Sequence, residues 1–184
     1  MAQVNEKLIN DHAALDKVLK QLQMALRSAD LELAHNKLDL FWARLAVHIR
    51  AEHLHFFPTV LGTLENAARH ASAPSLDEAQ SLVAELHQDH DFFMKQLIIA
   101  VGIMRELSTS PSQLIVPQAL SDVQNIVFAV ERRLVNHNEI EESQIYSWVT
   151  KLLSPDEQTK LAGQVATELL KHPPRFTLST WLDK

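Results

Sequence analysis

Four long segments of the chain carry apolar residues at steps of three and four, the rhythm of one buried helix face. The first runs from about Asn5 to Arg27, with Leu8, His12, Leu15, Leu19, Leu22 and Leu26 on one stripe. The second opens near Asp30, a favourable N-cap, and its stripe is Leu38, Phe41, Leu45, His48, Glu52 and Phe56. Pro58 and Gly62 are expected to kink or end it, with helix carried on to about Ala68. The third begins at Ser75, which forms a capping box with Glu78, and runs to about Leu107. Its stripe is Ala79, Val83, Leu86, His90, Phe93, Leu97, Val101 and Met104. The fourth starts between Ser112 and Pro117 and ends near Leu153, with Leu120, Val123, Val127, Val130, Leu134, His137, Glu141 and Trp148 inward.

A shorter helix follows from "SPDEQ", residues 154–158, to about Lys171, where Pro173 and Pro174 stop it. The tail "RFTLSTWLDK" is expected to pack on the other helices. No repeat, linker or second domain is visible, so residues 1–184 are expected to form a single domain. The pattern predicts an all-α, up-down four-helix bundle over about 5–153, with an additional C-terminal helix and tail over 154–184.

Composition supports helix: of 184 residues only three are Gly, and 46% are apolar. The net charge of −6 has acids and bases interleaved, which argues against nucleic acid or anionic lipid as partner. The longest apolar run, "LIIAVGIM" at 97–104, is too short to span a membrane. The N-terminus lacks the pattern of a signal peptide, so a soluble, cytoplasmic protein is expected. Cysteine is absent, which removes thiolate ligands and disulfides within the chain. Histidine occurs ten times.

Each long stripe contains one of those histidines, and two are followed by Glu four residues later on the same face. Counted from the predicted helix ends, His12, His48, Glu52, His90, His137 and Glu141 fall within about one turn, or 5 Å, of a common level. Any one of these imidazoles alone would read as a core histidine bonded to a neighbour. Four in one layer with two carboxylates would be very costly without a compensating cation. They exceed one closed tetrahedral zinc site. They suit two metals, each with two His, bridged by both Glu and a water-derived oxygen. Imidazole with carboxylate fits iron, and manganese less well.

Other histidines flank the layer. His87 lies beside the stripe, as a fifth ligand, a donor behind the ligands or a half-exposed residue, with the last two favoured. His55 competes with Phe56 for the inward position and reads as a flank residue, with accessory ligation as the alternative. His53 reads as a flank residue or a group behind the ligands, and His35, His70 and His172 as solvated. Phe41, Phe56, Phe93 and Trp148 read as core, and can form a dry wall around an open metal position.

The segments "NDHAALDKVL", "HIRAEHLHFFP", "LHQDHDFF" and "NHNEIEESQIY" resemble the His-containing segments of the hemerythrin-like, HHE cation-binding family. The resemblance covers about residues 5–153 and rests on the order His, His-x3-Glu, His, His-x3-Glu. "LSPDEQTKLAGQVATELL" is similar to the short helix that often follows this domain. The resemblance implies a non-haem centre of two iron ions, carboxylate-bridged with an oxo or hydroxo group. Its implied ligands are His12, His48, Glu52, His90, His137 and Glu141. Oxygen carriers of the family use a fifth His four residues from another on the third helix. Here His87 and His90 are spaced by three, and Met94 stands four after His90. The carriers also end with Asp five after the last His, where this chain has Glu at four. His53 sits where the family often has a second Glu. The pattern is nearer the four-His, two-Glu members, some of which are linked to nitrosative stress or iron-centre repair. The expected role is binding or sensing of dioxygen, peroxide, nitric oxide or iron. The alternative is a di-iron enzyme: a peroxidase, nitric oxide reductase, ferroxidase or iron-centre repair activity. A metal-free helical interaction module is a third reading.

Overall fold

The computed structural model describes residues 4–66, 73–109 and 116–171. Among them every regular element is helical: α1 (Val4–Arg27), α2 (Leu31–Ala51), α3 (Phe57–Asn66), α4 (Leu76–Thr109), α5 (Val116–Ile140), α6 (Tyr146–Leu152) and α7 (Pro155–Leu169). A π-helical turn, Glu52–Phe56, joins α2 to α3, and another, Glu141–Ile145, joins α5 to α6. The caps fall where the sequence places them. Asp30 Oδ1 accepts from the Leu33 amide at 3.0 Å. Ser75 and Ser154 each form a capping box, with Glu78 and Glu157 respectively. The tail from residue 172 on, His172 included, and His70 lie outside the described residues.

Pro58 does not end the second helix. Its missing N–H falls just after the first π turn, in which the Phe57 amide donates to Glu52 O, five residues back. The second π turn has the same closure, Tyr146 amide to Glu141 O, with no proline nearby. Both turns therefore begin at the Glu of a His-x3-Glu pair and end before an aromatic residue.

α1 packs against α2, α2 against α4, α4 against α5 and α5 against α1, so the four long helices close a ring. α7 lies outside, against α1 and α2. Its buried Glu168 accepts hydrogen bonds from Arg50 and Lys171. The apolar interior has two parts. One contains Leu15, Leu22, Leu45, Phe93, Leu97, Val123 and Val130. The other contains Leu8, Phe56, Phe57, Val60, Leu86, Tyr146 and Val165. The four stripe histidines and two glutamates separate them. His35 is buried, not solvated as expected. α2 has α1 and α4 as neighbours on two sides, so its buried face is wider than one stripe and takes in His35 and Asp39.

The α1–α2 link is three residues long and closes tightly. Asp30 N bonds Ala25 O at 3.0 Å and Ala29 N bonds Leu26 O at 3.3 Å, the pairing of a Schellman motif. Ala29 occupies its left-handed position, with φ of 54°. A Cβ there is disfavoured, and Gly is free of that cost. Ala29→Gly is expected to raise stability by about 1 kcal/mol. Urea unfolding of both proteins checks this, and equal midpoints would show that the turn carries no strain.

Candidate metal centre

His12 and His48 bring their Nε2 atoms to 3.0 Å from each other, and His90 and His137 do the same at 3.0 Å. Glu52 and Glu141 lie between the two pairs, with no solvent exposure. Their four oxygens divide evenly. Glu52 Oε1 is 3.5 Å from His48 Nε2, and Oε2 is 3.5 Å from His90 Nε2. Glu141 Oε2 is 3.3 Å from His12 Nε2, and Oε1 is 3.1 Å from His137 Nε2. Each carboxylate thus turns one oxygen to each histidine pair. His12, His48, Glu52 and Glu141 could hold one metal ion, and His90, His137 and Glu141 another; within each group the ligand atoms lie within 4.8 Å of one another. All six residues named from the sequence meet in this one layer.

The imidazoles are aimed by groups behind them. His48 Nδ1 donates to Asp11 Oδ2 at 3.0 Å, and Arg44 donates to the other oxygen of Asp11 at 2.7 Å. His137 Nδ1 donates to Asp89 Oδ2 at 3.1 Å, and Arg133 donates to Asp89 Oδ1. Placing the proton on Nδ1 leaves the Nε2 lone pair facing the centre, as metal ligation requires. His12 Nδ1 donates to Glu142 Oε1 at 2.8 Å, while His90 Nδ1 shares a hydrogen bond with His53 Nε2 at 2.8 Å.

This arrangement is one motif used twice. Asp-His on one helix meets Arg-x3-His-x3-Glu on the next, as Asp11-His12 with Arg44, His48 and Glu52, then as Asp89-His90 with Arg133, His137 and Glu141. The chain separates Asp11 from Arg44 by 33 positions and Asp89 from Arg133 by 44, too irregular for a repeat of fixed period. The matching spacings within each copy were the available signal. Sequence reasoning missed Asp11, Asp89, both arginines, Glu142 and Tyr146.

The flanking histidines sort themselves. His53 stands directly behind His90. His87 is exposed, its ring 4.1 Å from that of His53, and it belongs to neither ligand group. His55 faces away, with Nε2 3.6 Å from Glu168 Oε2 on α7. Phe56 and Phe93 are fully buried, and Phe93 sets its edge against His137.

Does this set fit a metal? Glu52 Oε2 and Glu141 Oε1 are buried and accept no hydrogen bond from the described residues. Both belong to the His90–His137 side. A buried carboxylate oxygen without a donor is costly, and a cation would remove that cost. Nitrogen and oxygen donors suit a first-row transition metal. Compared with known family models, curated proteins and solved structures, the chain finds no match.

Without metal, protons hold the charge balance. Burial pushes His48 down, but Glu52 and then Asp11 outweigh it and hold the imidazole well above its ordinary range. Burial likewise opposes His137, which Glu141 raises most. Burial drives His90 well below its usual value, and neighbouring His137 adds to the effect. Burial also pushes Glu141 up, and His137 and His12 more than reverse it, leaving it well below the carboxylate range. The raised His48 and His137 stabilise the fold fully below about pH 6.5, and that contribution is lost as pH rises through their folded values. The depressed Glu141 acts oppositely, stabilising above its ordinary value and losing that contribution on acidification. The metal-free chain is therefore expected to lose melting temperature from pH 6.5 upward. Bound metal replaces those protons and should flatten the decline. Calorimetry of both forms across pH 6–9 checks this.

Asp11→Ala and Asp89→Ala should each weaken metal affinity by roughly 10–100-fold, because the aimed imidazole loses its anchor. Competition with a chromophoric chelator measures it, and unchanged affinity in both variants would remove the anchoring role.

Proposed function

We propose that this chain is a hemerythrin-like protein of the HHE cation-binding type, an up-down four-helix bundle holding two iron ions. Its role is to bind or sense dioxygen, peroxide, nitric oxide or iron. One observation carries the two-metal reading: Glu52 and Glu141 each direct one oxygen to the His12–His48 pair and the other to the His90–His137 pair. That is the geometry of carboxylates bridging two neighbouring ions. The family assignment adds the order of the four His-containing segments.

Two iron ions would supply shared redox change and an open position for a small ligand. The protein does the rest. Asp11 and Asp89 hold the His48 and His137 rings in the tautomer that ligates. Glu52 and Glu141, each with one oxygen toward either histidine pair, would set the spacing of the two positions. Phe56, Phe57 and Phe93 close the surroundings to water and lower the local dielectric.

Metal analysis and an optical spectrum of protein purified in air test the reading. Two irons per chain are expected, with near-ultraviolet absorption that bleaches with dithionite. Adding dioxygen, peroxide or nitric oxide to the reduced protein then separates a binder from an enzyme. A binder gives a spectrum that returns on ligand removal; an enzyme consumes ligand beyond stoichiometry. If iron added anaerobically neither binds nor raises the melting temperature, the reading is wrong.

A further inference from the structure

The repeated motif shows where the two halves differ. The residue five after Glu52 is Phe57, and the residue five after Glu141 is Tyr146. They occupy matching places. The Phe57 ring stacks near His90 at 6.3 Å and 23°, and the Tyr146 ring near His12 at 5.8 Å and 25°. Phe57 brings no polar atom. Tyr146, 1% exposed, brings its hydroxyl to 2.8 Å from Glu52 Oε1, 3.2 Å from Glu141 Oε2 and 3.3 Å from His12 Nε2.

Those three distances have a common meaning. Donors bonded at about 2.1 Å and at right angles around one metal lie about 3 Å apart. The separations among His12, His48, Glu52 Oε1 and Glu141 Oε2 given above are of this size, and the phenol oxygen stands at the same spacing from three of the four. All of its partners belong to the His12–His48 side. On the other side the carboxylate oxygens Glu52 Oε2 and Glu141 Oε1 accept no hydrogen bond from the described residues.

We infer that Tyr146 is a fifth protein donor to the metal at the His12–His48 position. The His90–His137 position, one protein donor short and faced by Phe57, then takes the external ligand. The inference rests on the two-metal reading above. In the metal-free chain the phenol keeps its proton and donates to Glu52 Oε1. A multivalent cation beside it reverses that preference, and the proton passes to buffer as the oxygen coordinates.

The test uses the ferric, iron-loaded protein and its Tyr146→Phe variant, with azide as the external probe. Tyr146 is the only tyrosine in the chain, so any phenolate signal belongs to it. Wild type should show a visible phenolate-to-iron absorption with tyrosine ring modes in its resonance Raman spectrum. Tyr146→Phe should keep two irons per chain and lose both features. Wild type should bind one azide per chain, at the His90–His137 position. Two irons without phenolate features in wild type would overturn the inference and leave the two-metal reading standing. Two azides per chain in wild type would also overturn it, because the inference leaves an open position at the His90–His137 side alone. Failure of wild type to bind iron would instead sink the reading on which it rests.

Discussion

Two carboxylates with no exposure at all are the constraint around which this molecule is arranged. Ionised groups so placed cost several kcal/mol each unless opposite charge reaches them. The protein brings that charge inward in a relay on each side. Arg44 and Arg133 remain partly in solvent, their acid partners Asp11 and Asp89 lie deeper, and His48 and His137 complete the line to Glu52 and Glu141. Signs alternate along both lines when the imidazoles are protonated. A metal ion at the end of each line would take over what the protons do in its absence.

The π turns serve the same constraint. In an unbroken α-helix, residues five apart point in directions well over a right angle apart, so a Glu and the fifth residue after it could not face one centre. Widening the turn by one residue brings both inward. That is how Glu52 and Phe57 share a face, and how Glu141 and Tyr146 do. Each widened turn gives up the regular ladder locally, which is tolerated where it completes a site.

Much of this was legible in the linear pattern. The three-four rhythm located the long helices, the Ser and Asp caps located their starts, and the inward His and Glu marked the layer. What escaped depended on departures from regular helix or on partners distant in the chain. Tyr146 is invisible to a strict α-helical stripe, which passes from Glu141 to Trp148 and skips it. Asp11 and Asp89 sit next to His12 and His90 but look like ordinary polar neighbours until α2 and α5 bring His48 and His137 against them. His35 seemed exposed because one stripe describes one buried face, and α2 has neighbours on two.

The doubled Asp-His and Arg-x3-His-x3-Glu pattern also bears on how such a centre can change over evolutionary time. Each helical pair supplies two imidazoles and a single buried carboxylate, so the layer is complete only when both are present. Joined, they give a frame whose halves answer to the same geometry yet mutate independently. Position five after each Glu already differs, Tyr against Phe, and so does position one, Glu142 against His53. A frame doubled in this way allows one half to change at these positions while the other keeps its own residues.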